Sequence, residues 1–144
     1  MIPFTKEISI RWSDLDPNFH VRHSVYYDFG AQQRVEILEK FGLTMKVMQE
    51  NNLGPILFKE ECIFRKELRF HQRIFITTKI GKLNEDASRW TIVHELTNEK
   101  EEICAIISVD GAWMNTKIRK LASPTPKIIM EVMNAMPKTE NFSS

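Results

Sequence analysis

At 144 residues, 42% of them hydrophobic and 27% charged, the chain is long enough to bury one proper core and has the composition of an ordinary soluble globular protein. A formal net charge of +1 argues against a broad electrostatic footprint for nucleic acid or an anionic membrane. No apolar run approaches the roughly 20 residues needed to span a bilayer.

The opening MIPFTKEISI lacks the continuous apolar segment of a signal peptide. Residues 4–12 place Phe4, Ile8, Ile10 and Trp12 on one face, with Thr5, Glu7, Ser9 and Arg11 on the other. That period of two predicts a half-buried strand. A polar loop, SDLDPNFHVRH, follows. From Ser24 to about Phe41 the period changes: Tyr27, Ala31, Leu38 and Phe41 form one apolar stripe, Tyr26, Gly30 and Ile37 an adjacent one, and Asp28, Gln32, Glu36 and Glu39 the polar side. Ser24 suits the N-cap, Asp28 the positive end of the dipole and Gly42 the position just past the C-terminus. So wide an apolar face predicts a helix largely enclosed by something. Gly30 costs about 1 kcal/mol against alanine in mid-helix, which points to close backbone packing there.

A looser stretch around NNLGP leads into four strand patterns, 56–70, 73–83, 89–97 and 102–116, with NEDAS and NEKE as tight connections. Cys62 and Cys104 fall far apart inside these strands and read as reduced core thiols; with the missing leader, they favour the cytoplasm. Trp12, Trp90 and Trp113 read as core. A last helix is expected with Thr125 as cap and Pro126 in its first turn, turning Ile129, Val132, Met133 and Met136 inward. The tail PKTENFSS is expected to fray. Strand, long helix, four long strands and short helix make one α+β domain over 1–144, with a single antiparallel sheet curled around one helix. Such a sheet leaves an edge, and pairing edges between protomers is a common remedy.

The loop invites three readings that its residues do not support. Asp14, Asp16 and Asn18 imitate the first ligands of a calcium loop, but Phe19 stands where the sixth position needs glycine and Val25 where the twelfth needs glutamate. His20 and His23 lack a third zinc ligand. No Gly-x-Ser-x-Gly stands between a strand and a helix. What remains is a carboxylate just before a helix start, whose unpaired N–H groups can stabilise a developing oxyanion while the carboxylate acts as nucleophile or general base.

SDLDPNFHVRHSVYYDFGAQQRVEIL, with the element order around it, resembles the hotdog-fold acyl-CoA thioesterases of the 4-hydroxybenzoyl-CoA thioesterase family. The resemblance covers residues 4 to 130, and the Asp-x-Asp-Pro loop running into a Tyr-bearing helix carries it. It implies a five-stranded antiparallel sheet around a central helix, hydrolysis of an acyl-CoA thioester without cofactor or metal, and a homodimer or homotetramer. By the same resemblance Asp16 carries the chemistry and His23 supplies an N–H to the carbonyl, with His20, Ser24 and Tyr27 at the substrate. Asp14 braces the loop. Arg89 and Arg119, with Lys120, match positions that meet CoA phosphates, where a guanidinium fork suits phosphate oxygens. Many relatives have Gly before the histidine and an Asn pair after it, where this chain has Phe19 and then Arg22 and His23. Glu36 is the rival carboxylate, since some hotdog thioesterases use a helix Glu. The alternatives are an acyl-CoA-binding module without turnover, and a hydratase in which His20 and Glu36 converge.

Overall fold

The computed structural model describes residues 4–143. Met1–Pro3 and Ser144, at the two ends of the expected domain, lie outside the described residues. In chain order the elements are β1 (Thr5–Ile8), a 3-10 turn (Trp12–Asp14), α1 (Val25–Lys40), α2 (Met45–Glu50), β2 (Leu53–Phe64), β3 (Ile74–Leu83), β4 (Arg89–Thr97), β5 (Ile103–Asn115), β6 (Lys120–Leu121), α3 (Lys127–Ala135) and β7 (Lys138–Ser143). The main sheet runs β1-β3-β4-β5-β2, antiparallel throughout, with β6 added on β5 and β7 on β3. This is the α+β hotdog architecture, with seven strands where five were expected.

Alternation decides which face each strand buries. Ile74, Ile76 and Ile80 of β3, Trp90, Ile92 and Leu96 of β4, and Ile107 and Val109 of β5 all turn into one core, closed by Ile129, Val132 and Met133 of α3. α1 lies in that core along a narrower stripe than its apolar pattern predicts. Tyr26, Gly30, Gln33 and Ile37 are buried, whereas Tyr27 is half-buried and Ala31 and Val35 are exposed. At Gly30 the helix approaches the sheet closely: a Cβ there would stand 2.9 Å from His94 Cδ2 and 3.2 Å from Arg34 Nη1. The close approach expected of this glycine is present.

His94 is fully buried beneath it. Its Nε2 lies 3.0 Å from Arg34 Nη1 and its Nδ1 2.8 Å from Thr78 Oγ1. A guanidinium can only donate, so Nε2 accepts and Nδ1 carries the proton. Burial, seconded by the Arg34 charge, holds the imidazole far below its ordinary range, at about 3.

Several expected boundaries move. β1 ends at Ile8 and not at Trp12, because the Asp14 carboxylate accepts the Arg11 main-chain N–H (2.9 Å) and its guanidinium (2.8 Å), closing the 3-10 turn and turning Trp12 out to 69% exposure. The first long strand stops at Phe64, although Leu68 beyond it is buried. α2 fills part of the looser stretch, with Thr44 Oγ1 accepting the Val47 N–H at 3.2 Å. Ser24 occupies the N-cap position of α1, but its side chain makes no capping bond and its backbone is already helical. Gly42, at φ +83°, terminates that helix as expected. In α3 the cap position falls to Pro126, and the Thr125 hydroxyl instead donates to the Ala122 carbonyl at 3.1 Å.

As far as Ser143 the tail does not fray. β1 covers β3 from Ile74 to Thr77, and β7 pairs parallel along the rest of the same edge, between Ile80 and Lys82. Cys62 is half-buried and Cys104 buried, both as free thiols, and burial pushes Cys62 up to about 11. Among the described residues no helix is long and apolar enough to cross a membrane.

Candidate active site

The loop between β1 and α1 is closed by its own main chain. Leu15 bridges Val21, the Asp16 N–H donates to the His20 carbonyl at 2.8 Å, and the Arg22 N–H donates to the Asp14 carbonyl at 2.8 Å. The Val21 N–H donates to Leu68 at 2.8 Å, tying the loop to the segment after β2. The tight turn puts Phe19 at φ +64°. Where glycine would rest freely, a bulky residue bears a left-handed backbone at a cost of about 1–2 kcal/mol.

Within this frame Asp16 Oδ1 accepts the N–H groups of Asn18 (2.8 Å) and His20 (3.1 Å). Oδ2 has no hydrogen-bond partner among the described residues. The carboxylate is therefore fixed by one oxygen and free at the other, the arrangement a base or nucleophile needs. At the start of α1 the Val25 N–H is taken by the Arg22 carbonyl, whereas the N–H groups of His23 and Ser24 find no main-chain acceptor among the described residues. Donors of this kind at a helix start can hold an oxyanion.

Asp16, His20, His23 and Tyr26 line one side of a cavity of about 290 Å³. Phe64, Arg65, Lys66 and Glu67, from the end of β2 and the turn after it, line the other. Those four were not anticipated, and no local motif marks them. His20 Nε2 lies 3.1 Å from Glu67 Oε2, so its ring is already engaged by a carboxylate. Ser24 and Tyr27 do not line the cavity; Tyr26, one residue earlier, does. Its ring packs edge-on against Phe64 at 4.9 Å, and burial pushes its phenol up to about 12, so it stays protonated.

Arg89 and Arg119 lie elsewhere. The Leu53 end of β2 pairs with Asn115 and the Phe64 end with Ala105. Arg89, opposite Ala112, and Arg119, just past β5, belong to the Leu53 end. At about 3.3 Å per residue, the Leu53 end beside Arg119 is roughly 36 Å along the strand from Phe64, and Ile56, which shares the partner Ala112 with Arg89, roughly 26 Å. Arg89 also stands over the Phe58 ring, 5.8 Å from its centroid. Glu36 sits in a different groove, paired with Lys6 and accepting from Gln32 at 2.9 Å; these partners hold its carboxyl below the usual range. Glu36 is thus tied down away from Asp16, and it does not converge with His20.

The chain matches the thioesterase-like superfamily over residues 10–132. It belongs to that superfamily. A curated protein of Aquifex aeolicus (strain VF5), provisionally named an esterase, is 26% identical over 132 residues, covering 92% of this chain and 98% of its own. Among solved structures, a Staphylococcus aureus protein in complex with CoA superposes with a TM-score of 0.83 at 17% identity, over 94% of this chain and 87% of its own. A 1,4-dihydroxy-2-naphthoyl-CoA thioesterase from Synechocystis superposes with a TM-score of 0.81 at 16% identity, over 92% and 96%. As a member of the thioesterase-like superfamily the chain is an enzyme of the thioester-hydrolase class. The Asp16 loop lies inside the matched span, and its geometry meets the two demands of that chemistry: a free carboxylate oxygen and unpaired donors at a helix start.

Proposed function

We propose that this chain is an acyl-CoA thioesterase of the 4-hydroxybenzoyl-CoA thioesterase kind, a single cytoplasmic domain working as a homodimer without cofactor or metal. The observation that carries the reading is the Asp16 carboxylate, pinned through Oδ1 with Oδ2 open, on the same cavity as His23, whose N–H has no acceptor among the described residues. In the reaction the thioester carbonyl oxygen takes the charge and that donor holds it. Either Oδ2 attacks the carbonyl carbon, or it accepts the proton of a water that does. The C–S bond then breaks and CoA leaves as thiolate, to be protonated as a thiol; in the first route a water then cleaves the acyl-aspartyl anhydride so formed, releasing the carboxylic acid and restoring the Asp16 carboxylate. Release of free thiol from short, long and aromatic acyl-CoAs tests the reading directly. After a single turnover in ¹⁸O-water, label on Asp16 establishes the nucleophilic route, since it enters there only when water attacks the aspartyl carbon of the anhydride. His20 paired with Glu67 favours hydration of an unsaturated acyl chain as the second reading; product formation without thiol release would select it.

The sheet edge supports the dimer. Among the described residues β2 is hydrogen-bonded on one side only, and Leu57, Phe58, Ile63 and Phe64 are exposed along it. An antiparallel pairing of β2 with a second copy places the Leu53 end of one protomer beside the Phe64 end of the other. Arg119 of one chain then approaches the Asp16 cavity of its partner, which a single chain cannot achieve. Light scattering is expected to show at least a dimer, and a stable monomer at micromolar concentration overturns this arrangement.

Arg119→Ala is expected to raise KM with little change in kcat, because phosphates remote from the thioester are gripped equally in ground and transition states. The loss in kcat/KM should be about 1–3 kcal/mol, shrinking as salt rises. Arg89→Ala should act less, since Arg89 already lies over Phe58. Kinetics on a truncated thioester without the nucleotide provide the control. Equal impairment there would make Arg119 a structural residue.

A further inference from the structure

A second cavity, of about 250 Å³, lies between the outer half of α1, the Leu53 end of β2 and α3. Leu38, Pro55, Leu57, Trp90, Trp113 and Met133 make its wall almost wholly apolar, and Arg34 is the one charged side chain in it. The Arg34 side chain is only 13% exposed. Of its five donor hydrogens, one side of the fork meets the neutral His94 Nε2 at 3.0 Å, while Glu60 Oε2 stands 3.7 Å from Nη2, beyond hydrogen-bond length. Burial lowers the Arg34 pKa and Glu60 only partly offsets it, as befits a cation short of partners. The indole N–H groups of Trp90 and Trp113, in the same wall, are also buried without a partner. A buried charge or donor left unpaired is costly unless something supplies the missing acceptor. Every unpaired side-chain group identified around this cavity is a donor. The occupant that complements it has an apolar body and an acceptor oxygen, best of all a negative one. Its size is set by a volume below the roughly 300–1,000 Å³ of pockets for drug-sized ligands.

We propose that this cavity receives a small acyl group carrying a carboxylate at its far end, and that Arg34 is the residue that selects it. The assignment rests on the thioesterase reading, in which β2 pairing brings this cavity against the Asp16 cavity of the partner. It makes Arg34 a specificity residue: it reads the substrate's remote end and takes no part in breaking the thioester.

Trp90 and Trp113 give a direct reporter. In a Trp12→Phe background, which removes the exposed indole, tryptophan fluorescence is titrated with octanoate and with 1-octanol, equal in chain and different in charge. Octanoate is expected to bind at least tenfold more tightly. Arg34→Met should abolish the difference while retaining 1-octanol binding, and Arg34→Lys should keep part of it. Should Arg34→Met fail to fold, Glu60→Gln, at a partly exposed position, serves instead: removing the competing carboxylate should tighten octanoate several-fold and leave 1-octanol unchanged. Equal binding of the two ligands, no response to either, or equal losses for both in Arg34→Met overturns the proposal. None of these readings needs turnover. A protein that prefers octanoate but releases no thiol refutes the thioesterase reading alone; an active thioesterase blind to the charge refutes the role of Arg34 alone.

Discussion

Asp16→Asn is expected to reduce turnover of acyl-CoA at least a hundredfold while leaving the melting curve where it was. Asparagine is isosteric, and its carbonyl oxygen can still accept the Asn18 and His20 N–H groups that Oδ1 accepts now, so the loop keeps its shape. What disappears is the basicity and nucleophilicity of Oδ2, and a positioned base contributes about 10²–10⁴ in rate. Asp14→Asn provides the contrast. Asp14 is 1% exposed, and although burial opposes its charge, the main-chain N–H and guanidinium of Arg11 outweigh it and hold the carboxyl below its usual range. Its removal should cost about 1–3 kcal/mol of stability, seen as a lower Tm, with a smaller effect on kcat. Near-wild-type kcat in Asp16→Asn would refute the assignment. Glu67, paired with His20, is then the carboxylate to test, since Glu36 is held by Lys6.

Between pH 6.5 and 4.5 the fold is expected to lose about 2–3 kcal/mol of stability through one side chain. The His94 pKa falls from an ordinary 6.5 to about 3 in the folded protein, because its burial disfavours the imidazolium. The neutral ring's contribution is therefore complete above pH 6.5. Below that value the unfolded chain takes up a proton that the folded chain refuses, and stability declines by about 1.4 kcal/mol per unit until the folded pKa is reached. Carboxyls held low by their partners, such as Glu36 by Lys6 and Asp86 by Ser88, add their own losses only nearer pH 4. Urea melts at the two pH values measure the slope, and His94→Gln should flatten it. The imidazole ring signals of the folded protein give an independent check, and a His94 resonance titrating near pH 6.5 would refute the account.

What could be read from the sequence follows from what is local in it. The period-two runs of β3, β4 and β5 and the switch to helical period at Ser24 are decided by neighbours in the chain, and they gave the α+β sheet-and-helix architecture. Trp12 continues the alternation of β1 perfectly, yet a carboxylate two residues on captures the Arg11 N–H and ends the strand. The tail carries no strand signal beyond Phe142; β7 pairs with the stretch of β3, about 60 residues earlier, that β1 is too short to cover. α2 has six residues and buries no side chain fully, so it has no apolar stripe to read. At the site, Asp16, His20 and His23 meet because one loop carries them. Phe64 to Glu67 reach the same cavity from a strand end about 45 residues later, and nothing in their own sequence announces it. Tyr26 and Tyr27 are adjacent, and only the pitch of α1 against the sheet decides which faces the cavity.

The missing Cβ of Gly30 has a consequence for how this sequence can diverge. The imidazole of His94 occupies the space a side chain at position 30 would need, and the Arg34 guanidinium leans on the same spot. Three positions, one on the sheet and two on the helix a turn apart, thus behave as a single character. A descendant that gains even a methyl group at 30 must first surrender the ring at 94, and losing that ring takes away the acceptor on which Arg34 rests. The order of change is thereby constrained: position 94 must yield before position 30 can, and the arginine's footing goes with the ring.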